Sequence, residues 1–326
     1  MPLLLDEAVV RQCLDMPLLI DAMSGALAEF SAGRVTQPVR TVLEVGAEKN
    51  YFGVMPAAID SREAVGLKLV TVYPGNHAKG LTSHLATIVL LDHATGGLRA
   101  LIDGRYITEA RTAAVSAVSV QQLARPKATS LAILGSGVQA QSHFDAIRHV
   151  RALTDVRVWS PTAAHRESFA RDATASSGLA VRACASASDA VRGADIIVLV
   201  TASKTPVIND ADVAEGAHIC AVGACRPDQR EMPTALVKRA RLYVDSRAAA
   251  LKEAGEVLIP IGEGAITADH IAGELGDLIN GTVAGRSNQQ QVTIFKSLGM
   301  AVEDVVAAEI AVSRAQERGL GQDISL

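Results

Sequence analysis

The feature that most constrains this chain is ten residues long. Leu131-Ala-Ile-Leu-Gly135-Ser-Gly137-Val-Gln139-Ala140 runs from an apolar strand through a Gly-x-Gly-x-x-Ala turn into a helix. Gly135 permits a tight turn, Gly137 lets the backbone approach a pyrophosphate, and Ala140 allows helix and strand to pack closely. The helix N-terminus then offers unpaired N–H groups and a partial positive charge to the phosphates. Glycine turns of this kind also occur without a ligand, so the surroundings decide. After Arg125-Pro126-Lys127, short and wholly apolar strands (129–134, 156–159, 181–184, 196–200, 218–222, 242–244) alternate with helical segments. Strands buried on both faces read this way in doubly wound α/β domains. The expectation is a Rossmann-type dinucleotide-binding domain over residues 120–299.

A site for NAD usually ends its second strand in an acid that holds the ribose 2′-hydroxyl. Here that strand runs into Ser160-Pro161-Thr162, with Arg166 four residues later and no carboxylate. Hydroxyls beside a cation suit a 2′-phosphate. NADP(H) is therefore expected ahead of NAD(H), although Ser160 and Thr162 would also serve as plain helix caps.

The first 119 residues read differently. Strand-like runs at 39–45, 65–72, 87–91 and 98–102 are separated by turns such as Pro74-Gly75-Asn76 and Gly96-Gly97, after a helical opening at 17–32. An antiparallel or mixed sheet follows from that spacing. The last helix, about 300–317, is expected to pack back on it, so residues 1–119 and 300–326 form a second α/β domain. Lys68 sits in the apolar run Gly66-Leu-Lys68-Leu-Val70, either facing a ligand anion or snorkelling from an edge strand. Arg111 starts an Ala-rich helix, paired with an anion or with Glu109 or Asp103. Arg40 stands at a strand start, as a ligand cation or as solvated surface. Three converging cations would clamp a carboxylate, which Arg binds bidentately. His84, in residues 81–87, is a candidate acid, though a lone histidine beside a strand is commonly structural. Nothing has metal-ligand spacing, so no metal is expected.

Composition removes several classes of function. Lys plus Arg is 31 against 35 for Asp plus Glu, and aromatics are 3%. That balance excludes non-specific nucleic-acid binding and base-stacking platforms. With 49% hydrophobic and 20% charged residues the chain is globular. The longest apolar stretch, 196–200, is far too short to span a membrane. None of the four cysteines has C-x-x-C spacing, which argues against a disulfide framework or structural zinc. The opening MPLLLDEAVV has no basic stretch before its apolar run, so no signal peptide and a cytoplasmic location are expected.

Taken together, certain segments resemble the ornithine cyclodeaminase/mu-crystallin family from about Gln37 onward. They are Gly66-Leu-Lys68, Ala110-Arg111-Thr112-Ala-Ala-Val-Ser116, Gly135-Ser-Gly137-Val-Gln139-Ala140 and Ala221-Val-Gly223-Ala-Cys225-Arg-Pro227. Tyr243-Val-Asp245-Ser246 and Phe295-Lys-Ser-Leu298-Gly299-Met-Ala-Val-Glu303-Asp304 complete the set. The resemblance implies a homodimer whose N-terminal α/β domain, joined by C-terminal residues, binds substrate and builds the dimer interface. It implies that Arg40, Lys68 and Arg111 hold a substrate carboxylate. Arg111, Thr112, Gly135, Gly137, Val138 and Gln139 would serve the dinucleotide phosphates, and Ser160, Thr162 and Arg166 the adenosine ribose. Thr201, Ala202, Ser203, Cys225 and Leu298 would line the nicotinamide side.

Ornithine cyclodeaminases carry an acid where this chain has Cys225, whereas the mu-crystallin branch has a small neutral residue. The resemblance is closer to that branch. It implies NAD(P)H-dependent reduction of a cyclic imino acid, 1-pyrroline-2-carboxylate or 1-piperideine-2-carboxylate, to L-proline or L-pipecolate. Lys68, His84 and a water near Cys225 are the candidate proton sources. The alternatives are an ornithine or lysine cyclodeaminase with recycled NAD, an amino-acid dehydrogenase, and a non-catalytic NADPH-dependent binder.

Overall fold

The computed structural model describes residues 1–325, with His77 described by its backbone only. The chain divides into two compact units, Met1–Arg111 with Gly299–Leu326, and Thr112–Leu298. Among the described residues no helix is long and apolar enough to cross a membrane.

The first unit is a seven-stranded mixed sheet. Its strands are β1 (Leu3–Leu5), β2 (Thr41–Val45), β3 (Asn50–Ile59), β4 (Ala64–Val72), β5 (His84–Asp92), β6 (Leu98–Asp103) and β15 (Gln322–Asp323), in the order β15-β1-β6-β5-β4-β3-β2. β1 and β6 pair in parallel, and the other neighbours among the described residues pair antiparallel. The expected strands are present, but β2 starts at Thr41, so Arg40 precedes it. β3 is not among the expected strands; it carries Gly53 and Pro56, residue types that interrupt a strand pattern. Pro56 is tolerated because β2 pairs only with Asn50–Val54, and the next outward bond is the Thr36–Ala58 bridge. The missing N–H therefore falls where no partner strand runs. The helix Ala301–Arg318 crosses β3, β4 and β5, and the helix Met16–Ser31 packs against it. Gly66 lets it come close, since a Cβ there would meet the Val89 carbonyl at 2.6 Å and Val305 Cγ2 at 3.4 Å.

The second unit is an eight-stranded, wholly parallel sheet. β7 (Ser130–Leu134), β8 (Asp155–Trp159), β9 (Val181–Ala183), β10 (Ile196–Leu199), β11 (His218–Ala221), β12 (Arg241–Val244), β13 (Ile271–Glu274) and β14 (Thr293–Lys296) lie in the order β13-β12-β14-β11-β10-β7-β8-β9. This is the doubly wound α/β arrangement expected from the apolar runs. The chain winds outward from β7 to β9 and returns on the other side at β10. Open parallel sheets bind ligands at the carboxyl ends of the strands where the order reverses, here between β7 and β10.

Candidate active site

Lys68 lies on β4, an inner strand rather than an edge, and is only 2% exposed. Its Nζ stands 2.6 Å from Asp304 Oδ2, so it is paired rather than snorkelling. Arg111 is not at a helix start. The helix Arg105–Leu123 begins two turns earlier, where Asp103 Oδ1 accepts the Arg105 N–H at 2.9 Å. Nor is Arg111 an exposed charge on Glu109 or Asp103. Those carboxylates face Arg11 and Arg105, while buried Arg111 donates through Nε to Asp304 Oδ1 (3.0 Å) and through Nη1 to Glu303 Oε2 (2.6 Å). Half-buried Arg40 donates to the Gly299 carbonyl at 3.0 Å. Gly299 is required between them. Its φ is +81°, and a Cβ would lie 2.4 Å from Arg111 Nη1.

Glu303 and Asp304 are fully buried in the first turn of the helix Ala301–Arg318, where the helix dipole favours carboxylates. Sequence reasoning quoted them only as part of a motif and assigned them no role. Lys68 and Arg111 face these two carboxylates, and Arg40 lies against the Gly299 carbonyl beside them. Burial pushes Lys68 down to about 8; Asp304 opposes that shift, and Arg111 and Arg40 reinforce it. Three cations thus gather at one place in the first unit, a grouping that suits a carboxylate ligand.

His84 is not brought into this cluster. It is the exposed first residue of β5, with Nδ1 3.0 Å from Ser83 Oγ. It pairs with Val72, whereas Lys68 pairs with Ile88. Four positions along a strand is about 13 Å.

The glycine turn has the geometry its residues imply. Gly135 has φ +120°, and a Cβ would strike the Val200 carbonyl at 2.7 Å. Gly137 caps the helix Val138–Val150 with no side-chain hydrogen bond, no acid in the first turn, and open space where its Cβ would be. The first N–H groups of that helix are therefore available to an anion. Gln139 Oε1 is buried without a hydrogen-bond partner among the described residues, an acceptor awaiting a donor. At the end of β8, Ser136 donates to Ser160 Oγ (2.9 Å) and Arg166 Nη1 to the Ser160 carbonyl (2.9 Å). Thr162 is the exposed N-cap of the helix Ala163–Ser177. These residues fit a dinucleotide, with hydroxyls and a guanidinium where an acid is common.

Beyond β10 and β11 lie Thr201, Ala202, Ser203 and the exposed Cys225, whose thiol donates to the Val222 carbonyl at 3.3 Å. Sequence reasoning missed Glu231, which joins these two segments. Its Oε1 accepts the Thr201 N–H and O–H, both at 2.7 Å, and its Oε2 accepts Gly223 N–H (2.9 Å) and Ala224 N–H (3.2 Å). Thr112 is buried, and Leu298, just past β14, donates its N–H to Asp245 Oδ2.

The profile of the ornithine cyclodeaminase/mu-crystallin family matches residues 2–319. Ketimine reductase mu-crystallin of Mus musculus is 45% identical over 296 residues, 90% of each chain. Delta(1)-pyrroline-2-carboxylate reductase of Bacillus cereus is 38% identical over 315 residues, 96% of this chain and 97% of the relative. The solved structure of Thermococcus litoralis Delta(1)-pyrroline-2-carboxylate reductase in complex with NADH and L-proline is 34% identical. It superposes with a TM-score of 0.96 and covers 99% of this chain and 100% of that one. The match takes in both units and the cation cluster alike, and the chain belongs to the ornithine cyclodeaminase/mu-crystallin family.

Proposed function

We propose that this protein reduces a cyclic imino acid, 1-pyrroline-2-carboxylate or 1-piperideine-2-carboxylate, to L-proline or L-pipecolate with NADPH. The observation that carries this reading is the grouping of buried Lys68 and Arg111 with half-buried Arg40 about Glu303, Asp304 and the Gly299 carbonyl. The relatives named for ketimine and pyrroline-2-carboxylate reduction, and the neighbour that binds NADH and L-proline, support it.

The substrate carboxylate would lie against these cations, which orients the ring. A dihydronicotinamide, when bound, would supply hydride to the imine carbon. Lys68 holds a proton on Nζ beside that carboxylate, whereas His84 is displaced along its strand. Gly135, Gly137, Val138 and Gln139 would hold the pyrophosphate, with Thr112 of the same unit also serving it. Ser160, Thr162 and Arg166 would receive the 2′-phosphate of NADP(H), while Thr201, Ala202, Ser203, Cys225 and Leu298 would flank the nicotinamide. Cys225 in place of an acid leaves a substrate amino group without a carboxylate partner there, which disfavours cyclodeamination.

Purified protein given 1-pyrroline-2-carboxylate is expected to oxidise NADPH faster than NADH, with 1-piperideine-2-carboxylate run alongside. Lys68→Met should lower kcat/KM by about 10²–10³-fold, the usual consequence of removing one member of a buried charge pair. Because Lys68 must be protonated to hold the carboxylate, kcat/KM should fall as pH rises through about 8. A flat profile from about pH 5 to about pH 9 counts against the scheme. Ammonia release from ornithine without NADPH consumption would replace it with cyclodeamination. Tight NADPH binding without turnover would replace it with a binding role.

The first unit also supports a homodimer. The sheet face opposite the helix Ala301–Arg318 presents Leu43, Phe52, Val54, Leu67, Leu69, Leu85 and Val89, with Leu43 51% and Leu85 46% exposed. An apolar face of this kind, broken by Thr41, Thr71 and Thr87, suits an interface, and a second copy would cover it. Sedimentation equilibrium should give twice the chain mass; a monomer at micromolar concentration would remove this part.

A further inference from the structure

Glu231 carries a carboxylate that the chemistry above does not use. It is fully buried in an irregular segment of the second unit and accepts four donors, two on each oxygen. One pair comes from Thr201, just past β10, and the other from Gly223 and Ala224, just past β11. The two segments are in backbone contact, since a Cβ on Gly223 would lie 2.1 Å from the Thr201 carbonyl. The backbone on either side of this contact is itself anchored. Glu256 Oε1 accepts the Glu231 N–H at 3.1 Å, and Lys296 at the end of β14 donates to the Ala224 carbonyl while facing Glu256 Oε2 at 3.5 Å. Gly255 admits the preceding turn so closely that a Cβ would sit 1.9 Å from the Gln229 carbonyl. The end of β10 also meets the glycine turn: Val200 donates to the Leu134 carbonyl, and its own carbonyl leaves no room for a Cβ on Gly135.

We propose that Glu231 is a positioning residue, whose carboxylate locks the loops after β10 and β11 into one unit on which the nicotinamide half of the cofactor rests. The proposal rests on the dinucleotide reading above. The chemistry makes a sharp demand on this side chain. A carboxylate only accepts, and every site on this one is filled by a donor. The isosteric amide fails, because in either orientation its NH2 faces two donors. Burial and the neighbouring Glu256 push the Glu231 carboxyl up to about 7, while its hydrogen bonds to Thr201 and the charge of Lys296 favour the ionised form.

Calorimetry with NADPH and with 2′-phospho-ADP-ribose, which lacks the nicotinamide, tests it on wild type, Glu231→Gln and Thr201→Val. Glu231→Gln should weaken NADPH at least about tenfold, as expected when buried donors lose an accepting partner, and change the fragment less than about twofold. Thr201→Val removes one of the four donors and should act in the same direction, more weakly; it carries the comparison if Glu231→Gln does not fold. Equal weakening of NADPH and the fragment means a general structural role and overturns the proposal, as does unchanged NADPH binding. Wild type that binds neither ligand overturns the dinucleotide reading as well, and wild type alone reveals that outcome.

Discussion

Replacing Asp304 with Ala is expected to lower stability by about 3–5 kcal/mol, the usual cost of stranding a buried charge, and to abolish most imino-acid reduction. Asp304 is fully buried and is the shared anion of two cations, with Lys68 at 2.6 Å and Arg111 Nε at 3.0 Å. Without it Arg111 keeps Glu303, but Lys68 loses the carboxylate that it pairs with. Burial already lowers Lys68 to about 8 with Asp304 opposing, so removing Asp304 drives it lower still. A neutral amine at neutral pH cannot hold a carboxylate. Asp304→Asn keeps the shape and should fall between wild type and Ala, with its alkaline activity limb displaced below about pH 8. Lys68→Met leaves Asp304 paired with Arg111 and should cost less stability than Asp304→Ala. Urea unfolding and kcat/KM profiles against pH measure both effects. Wild-type stability in Asp304→Ala, or an unmoved limb in Asp304→Asn, would show that the cluster is not electrostatically coupled.

This cluster shows where sequence reading stops. The glycine turn and the parallel sheet are local facts: a buried strand is a short apolar run, and the turn needs glycines within a few residues. Lys68, Arg40 and Arg111 stood out because each is a cation in an awkward place. Their counter-charges did not. Glu303 and Asp304 lie 192 and 193 residues from Arg111, and acids in a first helical turn are what capping alone predicts. The Ala-rich run at Arg111 reads as a helix start, yet the helix begins at Arg105, whose N–H is accepted by Asp103. Glu231 left no pattern at all. It sits in a segment without periodicity, and three of its four donors are backbone N–H groups, which side-chain spacing does not encode.

Acid should weaken the second unit through two histidines. His143 and His218 are wholly buried. His143 Nδ1 donates to the Gln139 carbonyl (2.7 Å), so its Nε2 is left to accept the Ser116 hydroxyl (2.9 Å), and the neutral ring is satisfied on both sides. His218 lies between Thr293 Oγ1 (2.9 Å) and Ser119 Oγ (3.1 Å). Burial lowers His143 to about 4; it lowers His218 to about 3, with Arg286 and Arg151 adding like-charge repulsion. Unfolded, both titrate near 6.5. Between those values the unfolded chain binds more protons than the folded one, so their contribution is complete above about pH 6.5. It is lost as pH falls toward about 4, by about 2 kcal/mol per histidine at pH 5. Glu231, pushed up to about 7, has the opposite slope, so the test is a difference. Urea unfolding at about pH 7.5 and about pH 5 should show wild type losing about 2 kcal/mol more than His143→Asn, and the same against His218→Asn. Equal losses in wild type and variants would refute the assignment. The effect should also reach the ligand. His143 is bonded to Gln139, the second residue of the phosphate-facing helix, so forcing a proton onto that ring loosens the turn proposed to hold the cofactor.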